Sequence, residues 1–125
     1  MVAAVALVTP LVWTSTVAAD GEPALGFAVN GMQIDLQVTG RGPVPQSGVE
    51  AVVLNVTGDQ SSLDGFVTAW PTGIDRPVVS NLNSTHAGQT IPNAAIVPLG
   101  HNKLTMFTQS AAHLIVDIDG WYTNF

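Results

Sequence analysis

Turn residues interrupt this 125-residue chain so often that no helix has room to form between them. Thr39-Gly40-Arg41-Gly42-Pro43-Val44-Pro45 is one such break, and Pro71 with Gly73 is another. What lies between the breaks is short and either alternating or apolar. Met32-Gln33-Ile34-Asp35-Leu36-Gln37-Val38 places apolar residues at every even position, the pattern of a strand with one wet face. Val49–Val56 is mostly apolar and reads as a strand covered on both faces. Phe66–Trp70, Val78–Asn83, Thr90–Leu99, Leu104–Thr108 and His113–Tyr122 read as further strands. Pro92 and Pro98 cannot donate to a ladder, which predicts an edge or bulged strand over Thr90–Leu99. No segment keeps a 3.6-residue period long enough for a substantial helix. About eight to ten short strands at a spacing of about 8–12 residues predict an all-β fold: an antiparallel β-sandwich, jelly-roll-like. The length suits one domain over residues 1–125, large enough to bury a core without metal or disulfide.

The first nineteen residues, MVAAVALVTPLVWTSTVAA, carry no charged side chain. Val17-Ala18-Ala19 before Asp20 has the small residues of a signal-peptide cleavage site, but a basic start is missing. Pro10 and the β-branched run after it break the stretch of about 20 apolar residues that a membrane helix needs. Two readings stay open: Val2–Val8 and Leu11–Val17 as first strands of the sandwich, or residues 1–19 as a signal segment.

Charge narrows the partners. Three Lys/Arg stand against nine Asp/Glu, a formal net charge of −6, so a basic face for nucleic acid or anionic lipid cannot be assembled. There is no cysteine, which excludes thiol catalysis, thiolate metal sites and disulfides. Charged residues make up 10% of the chain, against about 25% in ordinary soluble domains. Such a chain stays in solution through Thr, Ser, Asn and Gln, which suits a surface buried against neighbours or an extracellular life among sugars.

Enzyme signatures are missing. His86 and His101 fall in loops and His113 opens a strand, with no G-x-S-x-G, H-E-x-x-H or phosphate-binding loop beside them. No catalytic residue, cofactor or metal site is assigned. Asp117-Ile118-Asp119-Gly120 looks like part of a calcium loop, but it sits in an apolar β run without a distal Glu. On a regular strand Asp117 and Asp119 share one face with His113, Ile115 and Trp121. The candidate ligand-binding residues combine amides and carboxylates with aromatic platforms, as sugar sites do. They are Trp121, Tyr122, Asp117, Asp119, Asn81, Asn83 and Trp70, with Trp13 a weaker platform. Each amide also has a structural reading, satisfying backbone groups at bulges and corners. Asn55-Val56-Thr57 and Asn83-Ser84-Thr85 match the short glycosylation sequon.

A set of motifs is similar to a β-domain of secreted and cell-surface proteins of actinobacteria. It comprises Leu36-Gln37-Val38-Thr39-Gly40, Val44-Pro45, Gly48-Val49, Ala51–Thr57, Gly65-Phe66-Val67-Thr68, Trp70-Pro71, Arg76-Pro77 and Ser80–Asn83. Gly88-Gln89-Thr90-Ile91-Pro92-Asn93, Leu114–Asp117 and Gly120-Trp121-Tyr122 complete it. The resemblance covers about Ile34 to Thr123. It implies a non-catalytic accessory or adhesion module, often beside secreted hydrolases. The family's opening stretch has a Pro, an Arg, two apolar residues and then Asp-Thr-Arg. Here it is replaced by the neutral Pro10-Leu11-Val12-Trp13-Thr14-Ser15-Thr16.

The sequence therefore predicts a secreted or cell-surface, non-enzymatic module for attachment or interaction, with a glycan or cell-wall polymer as candidate partner and no membrane span. The alternative is a structural subunit that self-assembles into a coat, fibre or ring through its apolar N-terminal strand, because an unpaired strand can complete a neighbour's sheet. A homo-oligomer or contact with other surface proteins follows from either.

Overall fold

The computed structural model describes residues 31–123 in full and, outside them, the backbone of the strand segments 2–6, 12–14, 16–17, 23–24, 27–28 and 124. Five short strands come first: β1 (Val2–Ala6), β2 (Val12–Thr14), β3 (Thr16–Val17), β4 (Pro23–Ala24) and β5 (Phe27–Ala28). Seven follow: β6 (Met32–Gln37), β7 (Val49–Asp59), β8 (Gly65–Pro71), β9 (Leu82–Ser84), β10 (Ile91–Pro98), β11 (Lys103–Thr108) and β12 (Ala112–Asn124). The described residues contain no helix.

Two antiparallel sheets form a β-sandwich. One runs β6-β11-β8-β9; the other runs β1-β12-β7-β10, with β2 and β5 also paired to β12. From β6 onward, every connection except β8–β9 passes from one sheet to the other. That weave forces the core between the sheets to be filled from alternate positions of nearly every strand. Leu54, Val52 and Val56 of β7 meet Leu104 and Met106 of β11 and Ile118 of β12 there, all essentially free of solvent. Each such side chain stabilises the fold by about 1.5–3 kcal/mol relative to exposure.

The alternation of Met32–Val38 is realised: Met32, Leu36 and Val38 are buried, while Gln33 and Asp35 are exposed. The proline argument holds as well, because β10 ends its sheet. Leu99 N–H donates to the Glu50 carbonyl at 2.9 Å, and an antiparallel ladder alternates, so the nitrogens of Pro92 and Pro98 lie on the open side.

Two expectations need correction. β7 is not fully covered on both faces: Val52, Leu54 and Val56 are buried, whereas Ala51, Val53, Asn55 and Thr57 are half-buried. Val78–Asn83 is not a strand. Only Leu82–Ser84 pairs as one, and residues 72–81 form a loop over the outside of the four-stranded sheet. The strand reading of the N-terminus meets strands at Val2–Ala6, Val12–Thr14 and Thr16–Val17, while the burial of those side chains lies outside the described residues.

Candidate functional site

The structure divides the sequence-derived site residues between the two sheets. Trp70, Asn81 and Asn83 belong to β8, β9 and the loop before β9, on the four-stranded sheet. Asp117, Asp119, Trp121 and Tyr122 belong to β12, on the other sheet. They do not converge on one site.

Within β12 a bulge decides which way each side chain points. Ile118 pairs with Leu54 and Gly120 with Val53, leaving Asp119 without a partner across the ladder. The extra residue shifts the period by one. Asp117 stays half-buried on the outer face opposite Asn55, and Asp119 is exposed. Trp121, expected beside them, instead turns into the core with 6% exposure. It offers no ring face to a ligand. Tyr122, paired with Ala51, is turned to the outer side, where it is half-buried. The described residues gather no group of three or more His, Cys, Asp or Glu that could hold a metal ion. His113 lies across from Asp59, His86 Nδ1 meets the Ala87 carbonyl at 2.9 Å, and His101 sits in a tight turn with φ 54°.

The other cluster is organised by the 72–81 loop. Trp70 is only 3% exposed because the loop closes over it, and its indole N–H donates to the Ile74 carbonyl at 3.0 Å. Thr68 Oγ1 donates to the Val79 carbonyl at 2.7 Å. Asn81 Oδ1 accepts from Ala69 N–H at 2.8 Å, and Asn81 N–H donates to the Val67 carbonyl at 2.9 Å. Asn81 thus extends the ladder of β8 where β9 has not yet begun. Its own carbonyl accepts from Asn93 Nδ2 at 2.5 Å, which ties the loop to β10. At the loop's start, Thr72 and Thr105 share a 2.8 Å hydrogen bond, and Thr105 Oγ1 donates to Asp35 Oδ1 at 2.7 Å. Gly100 lies so near the Thr72 carbonyl that a Cβ there would collide with it.

So anchored at both ends, the loop exposes its middle. Ile74, Val78 and Val79 are among the large apolar side chains left in solvent, and Val78 is fully exposed at 104%. Between this loop and the sheet lies an open groove of about 370 Å³, lined by Phe66, Arg76, Pro77, Val78, Val79, Ser80 and Asn83. Phe66 packs against Phe107 with ring centroids 5.7 Å apart. Arg76 lies over Phe107, its Cζ 3.9 Å from the ring centre. Asn83 Oδ1 accepts from Ser80 Oγ at 2.8 Å, and no acceptor is found for its NH₂ among the described residues.

Of the residues named from sequence, only Asn83 lines this groove. Trp70 and Asn81 build the scaffold under it. Phe66, Arg76 and Val78–Ser80 had not been singled out as site residues. Arg76 did carry a signal, as one of three cations in a chain of net charge −6. Val78-Val79 was hidden by its β-branched character, which reads as strand. Compared with family models, curated proteins and solved structures, the chain matches none of them, so this groove stands on its own geometry.

Proposed function

We propose that this protein is a non-catalytic, extracytoplasmic β-sandwich module that attaches to a glycan or cell-wall polymer through the groove beside the 72–81 loop. One observation carries the reading: a half-exposed aromatic ring, exposed Val78 and Val79, an amide and a guanidinium converge on about 370 Å³ of open space. That combination of apolar platform and few polar groups is what small-ligand sites are built from. The low charged fraction and the resemblance to secreted actinobacterial β-domains support a location outside the cytoplasm. The described residues include no helix long and apolar enough to cross a membrane. The test is a glycan array with the full chain, followed by an NMR titration of each hit. Saturable shifts at Phe66, Arg76 and Asn83 are expected. Shifts confined to Asp117, Asp119 and Tyr122 would move the site to the other sheet.

A second reading, self-assembly, has one observation in its favour. β6 ends the four-stranded sheet. Val38 N–H bonds the Asn102 carbonyl, so the alternate groups of Gln33, Asp35 and Gln37 face away from β11 along a six-residue edge that has no second strand partner among the described residues. By contrast β1, β2 and β5 pair with β12 of their own chain. Light scattering coupled to size exclusion separates the readings: a particle near 13.0 kDa supports the glycan module, and a defined multimer supports the subunit.

A further inference from the structure

We propose that the groove is selective for a carboxylated sugar, with Arg76 as the group that recognises the carboxylate; this rests on the reading of the protein as a sugar-binding module. The argument is a count of unspent hydrogen-bonding capacity. Ser80 Oγ has its one hydrogen directed at Asn83 Oδ1 and the Leu82 carbonyl, so toward a ligand it can only accept. The Asn83 NH₂ group has no acceptor among the described residues. Arg76 has its stacking contact with Phe107 and no other described contact. The donors that the groove still offers are therefore a guanidinium edge and an amide NH₂.

A ligand that meets these two donors should bring acceptors. Arginine's rigid fork matches a planar carboxylate in particular, and stacking on Phe107 leaves that fork in place while limiting its motion. The stack also means that binding orders less of the side chain. The same groove is lined by Phe66, Val78 and Val79, which accept an apolar ring face but no charge. A sugar ring bearing a carboxylate has both features: C–H groups on one face and a planar anion at its rim. The groove's volume lies at the low end of the range of about 300–1,000 Å³ for small-molecule sites, which fits a ring and not a long chain. Charge adds a constraint. A chain of net charge −6 repels anions at long range, so selectivity must come from contact at Arg76 and weaken with salt.

The test is an NMR titration of the full chain with glucuronate, glucose and acetate, repeated on Arg76→Gln and Arg76→Lys. Arg76 is exposed and stacks on a half-buried ring, so both variants should fold with near-parental melting temperatures. Expected is saturable glucuronate binding that Arg76→Gln weakens by about tenfold, the usual scale of a charge-assisted hydrogen bond. Arg76→Lys should recover only part of it. Glucose should bind weakly and be indifferent to either change. Equal affinity for glucose and glucuronate, or glucuronate binding untouched by Arg76→Gln, overturns the selectivity and leaves the sugar-binding reading standing. Acetate binding as well as glucuronate overturns the sugar and keeps only the carboxylate. No response to either sugar removes both readings.

Discussion

At the scale of single residues, Asp119 has an effect out of proportion to its contacts. It pairs with nothing across the ladder, yet its presence sets the facing of Trp121 and Tyr122. Extending a period of two along His113–Tyr122 puts Trp121 outside, and that expectation fails because one extra residue is inserted. The sequence held a trace of it, since Gly120 within a strand is a common companion of a bulge. Nothing local says on which side of the glycine the extra residue falls. The consequence is testable. Deleting Asp119 removes only the extra residue, so Gly120 and Trp121 keep Val53 and Val52 as partners and Trp121 stays in the core; the cost should lie well below about 3 kcal/mol, the scale of a lost core aromatic. Asp119→Ser keeps the bulge and should change stability by less than about 0.5 kcal/mol. Urea unfolding of both variants checks this; a loss of more than about 3 kcal/mol on deletion would mean that Trp121 had left the core and that Asp119 is not the extra residue.

At the scale of elements, the 72–81 loop shows where sequence reading runs out. The strands of both sheets were legible because period and punctuation are local properties. The loop was not, because its course depends on bonds to residues far along the chain: Thr68 to Val79, Asn81 to Ala69 and Thr72 to Thr105. The same bonds convert Trp70 from a predicted platform into a buried post under the groove. Asn81 and Asn83 looked alike in the sequence and differ here. Asn81→Ala strands the Ala69 N–H of β8 and should cost about 1–3 kcal/mol. Asn83→Ala removes an exposed bond to Ser80 and should cost less than about 0.5 kcal/mol. Hydrogen exchange gives a sharper readout than melting. The Ala69 amide should lose protection in Asn81→Ala and keep it in Asn83→Ala, whereas unchanged protection in both would remove Asn81 from the ladder.

At the scale of the whole molecule, the N-terminal segments decide whether the sandwich has a sealed flank. β12 uses one side for β7 over nearly its whole length. Its other side is taken in succession by β1 at Gly120–Asn124, β2 at Ile115–Asp117 and β5 at Ala112–His113. The chain thus returns three times to the same edge, and β2 carries no charged side chain, which suits its pairing with the apolar stretch Ile115–Val116 of β12. Without it, β12 would be a thirteen-residue open edge carrying Ile115, Val116 and Ile118, the kind of strand that templates pairing with other chains. Removing residues 1–29 should therefore lower the melting temperature and also produce association that grows with concentration. Light scattering and thermal unfolding of the shortened and full chains together measure both effects. If the shortened chain stays monomeric and equally stable, the edge needs no cover and these strands contribute nothing to the fold. If it associates while the full chain does not, the apolar N-terminus acts as a cap on its own sheet. The self-assembly reading would then have to rest on β6, and the groove beside Arg76 would be left facing solvent on the opposite sheet.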